Sequence, residues 1–377
     1  MNASASGALA ARWAWADVDL DAIAHNVRVL GRAVAPAAPW VVVKADGSGH
    51  GAVPVALAAL DAGAAGLCVA LAGEGVALRE AGIYAPILVL SEQPAAASLV
   101  AHGLFATVYT AAGIDALAAA ASAAAPHAVH LKIDTGMHRV GARPDDVAAL
   151  VRRIASHPSL RLAGVFTHLA IADEPDDPAT GAQLTAFDDA VARLELAPDV
   201  VVHAANSAGA LAHVSARRSL VRLGIAAYGL PPGPGVAPLA GDLRPALSLR
   251  ARVSFVKRLY AGDRLSYGLR HTLAADATIA TLPIGYADGV PRRLYACGGE
   301  VLVSGRRRPI AGVVTMDQLM VDCGDDPVAV GDEAVLIGRQ ADEEVTATEW
   351  ADRLGTINYE ITCGISARVP RRHHSAR

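Results

Sequence analysis

The chain has 377 residues, of which 53% are hydrophobic, and its formal net charge is −4 at pH 7. This length is too great for one ordinary small core, so we expect a large barrel-type domain and a second domain. The charge balance leaves no basic patch and argues against a nucleic-acid partner. The most apolar long run, residues 116–126, is too short to cross a bilayer, so we expect no membrane segment.

Cysteine spacing and the N-terminal residues indicate the compartment. No cysteine pair has CxxC spacing, and no Cys/His spacing suggests zinc, so we expect reduced thiols and no metal site. The cysteines are Cys68, Cys297, Cys323 and Cys363. The first fifteen residues lack the basic segment and apolar stretch of a signal peptide. We therefore expect a cytoplasmic protein with a flexible N-terminus at residues 1–12.

In chain order, the first predicted helix is Leu20–Arg32, and from about Pro39 to about Gly229 short apolar runs alternate with alanine-rich amphipathic stretches. This alternation predicts repeated β-α units and a parallel sheet. The candidate strands are Trp40–Val43, Gly66–Ala70, Pro86–Leu90, Phe105–Tyr109, Val129–Ile133, Ala163–Thr167, Val200–Ala204 and Leu220–Arg222. Candidate helices between them include Leu71–Ala81, Asp145–Ala155 and Gly181–Leu196. The set predicts a (β/α)8 barrel over residues 20–240.

The pattern changes after about Leu230, where Pro231 to Gly235 form a linker rich in proline and glycine. The following sequence is β-branched and rich in turns, which predicts a smaller, mainly β domain over residues 241–377. Its candidate strands are Leu249–Val256, Ala277–Pro283, Glu300–Val303 and Glu333–Ile337. Residues 13–19 are expected to form a strand that joins this C-terminal domain.

Lys44 follows the apolar run Trp40–Val43 and precedes a glycine-rich turn. An amine that loses hydration at the end of a buried strand has a lowered pKa, and the neutral amine can form a Schiff base with an aldehyde cofactor. From this segment alone, a lysine whose amine simply reaches solvent at a strand end is an equally good interpretation.

Other polar residues also stand at the ends of the predicted strands, where a barrel enzyme builds its active site. They are Lys132, Asp134, Arg139, His168, Asn206, Ser207 and Arg222. Ser207 and the Gly224-Ile225 pair follow the last two strands, where a hydroxyl and free backbone N–H groups can receive a phosphate. Ordinary helix capping is the commoner role for such residues taken alone. Together with Lys44 they indicate pyridoxal 5′-phosphate as cofactor.

The sequence resembles the alanine racemases, which are fold-type III pyridoxal-phosphate enzymes, from about Trp13 to Pro370. The barrel motifs that carry the resemblance are Val42–Ala45 with Gly49–Gly51, Leu131–Arg139, Thr167-His168, His203–Ser207 and Val221–Ile225. The motifs of the second domain are Leu265–Gly268, Ile284–Gly289, Met316–Gln318 and Tyr359-Glu360. The activity implied is interconversion of L-alanine and D-alanine, a peptidoglycan precursor.

The resemblance implies two catalytic bases, Lys44 and Tyr267, on opposite faces of the cofactor-bound amino acid. It also implies that the tyrosine comes from the partner subunit, which makes a homodimer with shared active sites. Without the resemblance, Tyr267 would be interpreted as a packing residue of a strand.

Arg222 would donate to the pyridine nitrogen of the cofactor and keep it unprotonated, which weakens the ring as an electron sink. Related fold-type III decarboxylases have an acidic residue there, so Arg222 favours racemisation. His168 would orient Tyr267 and lower its pKa. Taken singly, a histidine such as His168 is more often a hydrogen-bonded core residue.

The remaining roles implied by the resemblance concern the cofactor's edge and the substrate. Arg139 would contact the cofactor's phenolic oxygen and the substrate carboxylate, held in place by a carbamylated Lys132. Met316 and Tyr286 would border the substrate, and Tyr359 would donate to the phosphate. Lys132 is also consistent with an ordinary charged strand residue.

Two positions depart from the family pattern. Ser48 stands where the family has a tyrosine whose hydroxyl reaches the phosphate, and Leu223 stands where a proline is usual. We therefore expect weaker cofactor retention and a less rigid Arg222. A racemase of the same fold that acts on serine or another small amino acid is the nearest alternative. A non-catalytic pyridoxal-phosphate-binding protein is a weaker alternative, because such proteins generally lack the second domain.

Overall fold

The computed structural model describes residues 12–375. The predicted flexible N-terminus therefore lies, apart from Arg12, outside the described residues. The chain divides into two compact units. The barrel unit comprises Asp21–Gly47 and Ala52–Arg244. Of the described residues, the β unit comprises 12–20, Ser48–Gly51 and 245–375.

The barrel unit contains eight parallel strands. The first strand of the chain, β1 (Ala14–Asp19), belongs to the β unit. The barrel strands are β2 (Ala38–Val42), β3 (Gly66–Val69), β4 (Ile87–Val89), β5 (Phe105–Val108), β6 (His127–Lys132), β7 (Leu160–Phe166), β8 (Val201–His203) and β9 (Leu220–Leu223). They pair in the order β8-β7-β6-β5-β4-β3-β2-β9. Backbone hydrogen bonds from Ser219 to Val202 and from Arg222 to Ala205 link the two end strands. The nearly closed barrel confirms the predicted fold class.

Helices follow the barrel strands in the expected alternation. They are α1 (Leu20–Val34), α2 (Ala52–Asp61), α3 (Ala72–Glu80), α4 (Ala96–Ala101), α5 (Ala111–Ala120), α6 (Val147–Ser156), α7 (Ala179–Ala192) and α8 (Ser207–Ala212). In α6 the buried residues Val147, Leu150 and Ile154 recur at helical spacing and form one apolar face. Strands β3, β4 and β6 are buried at every residue, since a parallel barrel covers both faces of its strands.

Large apolar side chains pack inside the barrel. Trp40, Cys68, Leu88 and Leu220 form one buried cluster. The ring of His130 stacks on Phe105, with ring centroids 5.7 Å apart. The barrel interior is thus filled by side chains, as in other barrels of eight strands.

The β unit is built mainly from short antiparallel strands. They are β10 (Leu247–Arg252), β11 (Phe255–Leu259), β12 (Arg264–Leu265), β13 (His271–Thr272), β14 (Ala277–Leu282), β15 (Glu300–Val303), β16 (Arg306–Pro309), β17 (Leu319–Asp322), β18 (Glu333–Gln340), β19 (Glu343–Val345) and β20 (Arg371–His374). The largest sheet has the order β16-β15-β18-β10-β1-β20. Strand β1 pairs antiparallel with β10 and parallel with β20, so residues 14–19 belong to this sheet.

Two helices near the C-terminus, α9 (Ala347–Leu354) and α10 (Asn358–Gly364), were absent from the sequence-based description of the β unit. Helix α9 has a sequence signal, since Thr346 accepts a hydrogen bond from the backbone N–H of Glu349 as an N-cap. All four cysteines are free thiols, as expected. In the part of the chain that the model describes, no helix is both long and apolar enough to cross a membrane.

Candidate active site

Lys44 directly follows the fully buried Val43 at the C-terminal end of β2. The side chain of Lys44 itself is exposed in the single chain. The position at the strand end matches the prediction, but the barrel unit does not bury this amine as the apolar run suggested. Any desolvation of Lys44 must therefore come from groups that bind over it.

The turn after Lys44 is left-handed. Ala45, Asp46 and Gly47 have φ values of 53°, 52° and 60°. Such values cost a residue with a Cβ roughly 1–2 kcal/mol, so hydrogen bonds must hold this turn. The carboxylate of Glu74 accepts from the backbone N–H of Ala45 at 2.7 Å, and that of Asp46 accepts from Ala52 at 2.8 Å.

Arg222 lies in the buried strand β9 and is the most heavily hydrogen-bonded charge of the site. Its guanidinium donates to Nδ1 of His203 at 2.7 Å and to the backbone oxygens of Thr167 and Ala204, both at 2.8 Å. Nδ1 of His168 lies 3.3 Å away. Burial lowers the pKa of Arg222 to about 10, so the guanidinium stays charged at neutral pH.

These contacts bear on Leu223, whose replacement of the usual proline suggested a loosely held Arg222. Leu223 is fully buried and pairs with Val41 in the barrel sheet. The Arg222 guanidinium has four hydrogen-bond partners of its own. The expectation that Leu223 makes Arg222 less rigid stays a prediction.

A pair of buried histidines extends from Arg222 into the barrel. Because an arginine can only donate, Nδ1 of His203 must accept, and its Nε2–H then points to Nδ1 of His130 at 3.1 Å. Burial, with a smaller contribution from Arg222, holds the pKa of His203 well below its ordinary value. Burial, Arg161 and Arg222 lower the pKa of His130 to about 3. Both rings are therefore neutral.

Lys132 is the last residue of β6 and is 5% exposed. Its Nζ lies 5.6 Å from the centre of the Phe166 ring. Burial, followed by the charges of Arg222, Arg139 and Lys44, lowers its pKa to about 8, while Asp134 acts in the opposite direction. A substantial fraction of this amine is therefore neutral near physiological pH.

The loop after β6 carries Arg139, which is exposed. The carboxylate of Asp134 organises this loop by accepting from the backbone N–H groups of Gly136 at 3.1 Å and His138 at 3.0 Å. After β7, His168 is surrounded by cations. Burial, and then Arg222, Lys132, Arg139 and Lys44, hold the pKa of His168 well below 6.5.

The residues expected to receive a phosphate lie together. Ser207 begins α8, and its Oγ accepts from the backbone N–H of Gly224 at 2.8 Å. Ile225 begins a buried 3-10 turn, Ile225–Tyr228. Asn206 caps α8 by accepting from the N–H of Gly209 at 2.9 Å. Helix capping is therefore also present, but at Asn206 rather than at Ser207.

The other predicted site residues belong to the β unit. Tyr267 begins a short 3-10 turn after β12 and is 73% exposed, so it is not a packing residue of a strand. It lines a groove of about 540 Å³ together with Lys257 and Ser266. The backbone of Tyr286 donates to Thr315 at 2.9 Å.

Further backbone contacts place Tyr286 and Met316 near each other. The N–H of Ala287, next to Tyr286, donates to the backbone oxygen of Met316 at 3.0 Å. Both side chains are exposed. Tyr359 lies in α10 and is half-buried.

Comparison with known proteins places this arrangement in a family. The family model for the N-terminal domain of alanine racemase matches residues 18–232, and the model for the C-terminal domain matches residues 246–373. The chain belongs to the alanine racemase family. It is therefore an enzyme of the isomerase class, an amino-acid racemase, as the motifs predicted.

Individual alanine racemases resemble it over almost their whole length. The alanine racemase of Symbiobacterium thermophilum is 51% identical over 95% of this chain and 96% of its own. The crystal structure of alanine racemase from E. faecalis is 40% identical, with a TM-score of 0.92 over 96% of this chain and 98% of that one. That from Streptomyces lavendulae is 39% identical, with a TM-score of 0.92 and coverages of 97% and 98%.

Family motifs alone did not reveal three side chains that support the site of this racemase-family chain. Glu74 accepts from the backbone next to Lys44, and Gln183 donates to the backbone oxygen of His168. His130 contacts His203, which is a hydrogen-bond partner of Arg222. His130 had a detectable signal, because it stands two residues before Lys132 and strand alternation puts both on one face. Glu74 and Gln183 lie on helices and gave no such signal.

Proposed function

We propose that the chain interconverts L-alanine and D-alanine with pyridoxal 5′-phosphate, using Lys44 and Tyr267 as opposed bases. Membership of the alanine racemase family supports the reaction. The observation that carries the site assignment is the grouping of Lys44, Lys132, Arg139 and Arg222 around His168.

The donor set fits this cofactor. Three cations, Arg222, Arg139 and Lys44, and the carboxylate of Asp134 lie within electrostatic reach of Lys132, which leaves a surplus of positive charge. A ligand with a phosphate, a phenolic oxygen and a bound substrate carboxylate complements that surplus. Ser207, Gly224, Ile225 and, from the β unit, Tyr359 would hold the phosphate. Pyridoxal phosphate, when bound, supplies an aldehyde carbon for an amine and a conjugated ring that delocalises charge from the α-carbon.

Arg222 would face the ring nitrogen. A permanently charged donor disfavours protonation of that nitrogen, because two adjacent positive charges repel each other in a buried site. The contacts to His203, Thr167 and Ala204 would keep the guanidinium in place without neutralising it, since all three partners are uncharged.

Lys44 and Tyr267 would hold and move the α-proton. On one face the Lys44 amine would accept a proton from the α-carbon, and its ammonium form would return one to it. On the other face the Tyr267 phenolate would accept a proton, and the phenol would return one. We propose that this tyrosine comes from a second copy of the chain. His168, which is neutral and surrounded by cations, would lower the pKa of the phenol by donating from Nε2.

Arg139 would bind the substrate carboxylate, with Met316 and Tyr286 as neighbours of the substrate side chain. We propose that Lys132 carries a carbamate. The neutral amine can bond through its nitrogen to carbon dioxide and lose a proton to solvent. The product is a carbamate anion in place of an ammonium group among three cations. Repulsion between Lys132 and Arg139 then becomes attraction, which would hold the arginine in place.

The first test follows the α-proton by proton NMR in D2O, with purified protein, pyridoxal phosphate and L-alanine. We expect the α-proton signal to disappear and chiral analysis to show deuterated D-alanine. If alanine keeps its α-proton, other small amino acids such as serine are tested. Exchange with one of these would replace alanine as the substrate, and exchange with none would contradict racemisation.

A mixing experiment tests the shared site. If the sites are shared, Lys44→Ala and Tyr267→Phe homodimers should each be inactive. A hybrid dimer of the two variants should have one site with both bases intact. Random exchange of subunits should restore roughly one quarter of wild-type activity, because half of the dimers are hybrids with one working site of two. No recovery after verified subunit exchange would place both bases in one chain.

A further inference from the structure

Gln183 is a buried amide on α7 whose two ends both bind backbone next to His168. It is 4% exposed. Its Oε1 accepts from the N–H of Ala170 at 2.8 Å, and its Nε2 donates to the backbone oxygen of His168 at 3.1 Å. The side chain thus holds the main chain on both sides of Leu169, at the C-terminal end of β7.

The same side chain also packs against the loop after β6. A Cβ on Gly136 would lie 3.1 Å from Cγ of Gln183, and Gly136 has a φ of 138°, which favours glycine. A hydrogen bond of 2.7 Å between the hydroxyls of Thr135 and Thr167 joins the two loops a second time. The loop after β6 is the one that carries Arg139.

We propose that Gln183 is a positioning residue that fixes the backbone of His168 and, through Gly136, the loop of Arg139. This inference rests on the proposed function, because the benefit of fixing these two residues is their action on Tyr267 and on the substrate carboxylate. Gln183 itself touches neither the substrate nor the cofactor in the proposal.

The surroundings of His168 show why its backbone must be fixed. Arg222 contacts its imidazole from β9, and Lys132 on β6, Arg139 in the loop after β6 and Lys44 after β2 lie within electrostatic range of it. With Nδ1 turned to Arg222 at 3.3 Å, Nε2 carries the proton. A displacement of about 1 Å would lose this contact and misdirect the Nε2–H, and such displacements cost up to about a hundredfold in rate.

Two substitutions separate positioning from packing. Gln183→Met keeps the volume and loses both hydrogen bonds. In Gln183→Glu, a protonated carboxyl can still donate to His168 and accept from Ala170, whereas the ionised form faces the His168 oxygen with a negative charge. Burial raises the pKa of such a carboxyl toward neutrality. The glutamate variant therefore provides a rescue that depends on pH.

Steady-state rates in both directions give the first readout. We expect kcat for Gln183→Met to fall about ten- to a hundredfold at every pH, with a smaller change in KM. The ratio of kcat/KM for Gln183→Glu to that of wild type should fall about tenfold or more between pH 6 and pH 9. If the methionine variant does not fold, the pH dependence of kcat/KM for Gln183→Glu relative to wild type carries the test.

Amide hydrogen exchange of the cofactor-free protein gives a second readout that needs no activity. The Ala170 amide should exchange about tenfold faster in Gln183→Met, because it has lost its acceptor. This measurement also separates the two hypotheses. If wild type racemises nothing, the proposed function fails, while faster exchange at Ala170 still shows that Gln183 orders the loop.

The matched control is Phe187→Leu, which disturbs the same helix at a fully buried apolar residue one turn after Gln183. At an equal loss of Tm, we expect this control to retain the wild-type pH profile and Ala170 exchange. The proposal is overturned if Gln183→Met and Phe187→Leu reduce kcat equally at equal Tm. It is also overturned if the glutamate ratio is flat with pH and Ala170 exchange is unchanged.

Discussion

Arg222 and His203 are joined by a 2.7 Å hydrogen bond in which the guanidinium must be the donor. This one contact fixes the tautomer of His203 and, through the 3.1 Å contact to His130, that of a second buried ring. Arg222 thus ties the C-terminal end of the barrel strands to the aromatic packing of the barrel interior. Changes at either histidine should reach Arg222 without touching the substrate.

Replacing Arg222 by lysine should damage both stability and activity, although the charge is kept. A lysine cannot reach all four acceptors that the guanidinium contacts, so buried acceptors lose their partners. Each loss costs about 1–3 kcal/mol. We expect Tm to fall and kcat to fall about a hundredfold. Arg217→Lys, another barrel-unit arginine that donates to backbone oxygens, is the control for stability alone. Equal kcat for Arg222→Lys and wild type would contradict the role assigned to the Arg222 guanidinium.

The buried histidines should make stability fall in acid. The ordinary pKa of a histidine in the unfolded chain is about 6.5, whereas folded His130 titrates at about 3. Between these values the unfolded state binds the extra proton, so stability is complete above 6.5 and is lost as the pH falls toward 3. The slope is up to about 1.4 kcal/mol per pH unit for each such histidine.

Urea unfolding at several pH values between 7 and 4 measures this slope. His130→Phe keeps an aromatic ring beside Phe105. It should reduce the slope of the unfolding free energy against pH by up to the contribution of one histidine. His374→Gln changes an exposed histidine and should leave it as in wild type. An unchanged slope in His130→Phe would show that the folded protein does not lower the pKa of His130.

Glu74→Ala should loosen the turn that carries Lys44. The carboxylate accepts from the N–H groups of Ala45, Ala70 and Leu71, and alanine leaves all three without this acceptor. We expect a loss of about 1–3 kcal/mol in stability and about a tenfold fall in kcat. Glu80→Ala on the same helix is the control, because this exposed residue lies away from the turn. If both variants lose the same activity, Glu74 supports only the helix.

The barrel could be predicted from sequence because its strands are apolar runs with helical stretches between them, and this pattern is local. The left-handed turn could not, because Ala45 carries no signal for positive φ, and one aspartate, although such residues are enriched there, does not predict a run of three. Their conformation depends on Glu74, 29 residues away from Ala45. Gln183 was missed for the same reason, since its partners are on another element and its helix reads as an ordinary amphipathic one.

The predicted strand ends did bring the charged residues together, because parallel strands of a barrel end on one side. The exposure of Lys44 could not be inferred in the same way. An apolar run shows that its strand is buried, but the exposure of the next side chain depends on what covers the barrel's end. The composition is unusual in one respect: Lys44, Lys132 and Lys257 are the three lysines of the whole sequence.

That scarcity makes the Lys132 carbamate easy to test. The lowered pKa of about 8 predicts that carbon dioxide adds more readily as the pH rises through this value, because the neutral amine is the nucleophile. Native mass spectrometry should find an adduct of one carbon dioxide per chain that is lost in acid and absent from Lys132→Ala. Lys257→Arg should retain it. Removing bicarbonate should raise KM several-fold, because Arg139 would no longer be held in place by the carbamate. Persistence of the adduct in Lys132→Ala would move it to another amine.

Ser48→Tyr should tighten cofactor binding. The present Ser48 already has a φ of 51°, so a tyrosine brings no new kind of backbone strain, although its larger side chain makes that strain less favourable. A hydrogen bond from its hydroxyl to a phosphate contributes roughly 1.5–3 kcal/mol, or about ten- to a hundredfold in the dissociation constant. Equilibrium titration of cofactor-free protein with pyridoxal phosphate measures this change. Ser48→Phe supplies the ring without the hydroxyl, so the hydroxyl accounts for the gain only if the tyrosine variant binds more tightly than the phenylalanine variant. Equal constants for serine, tyrosine and phenylalanine would show that the family's tyrosine is not what retains the cofactor in this chain.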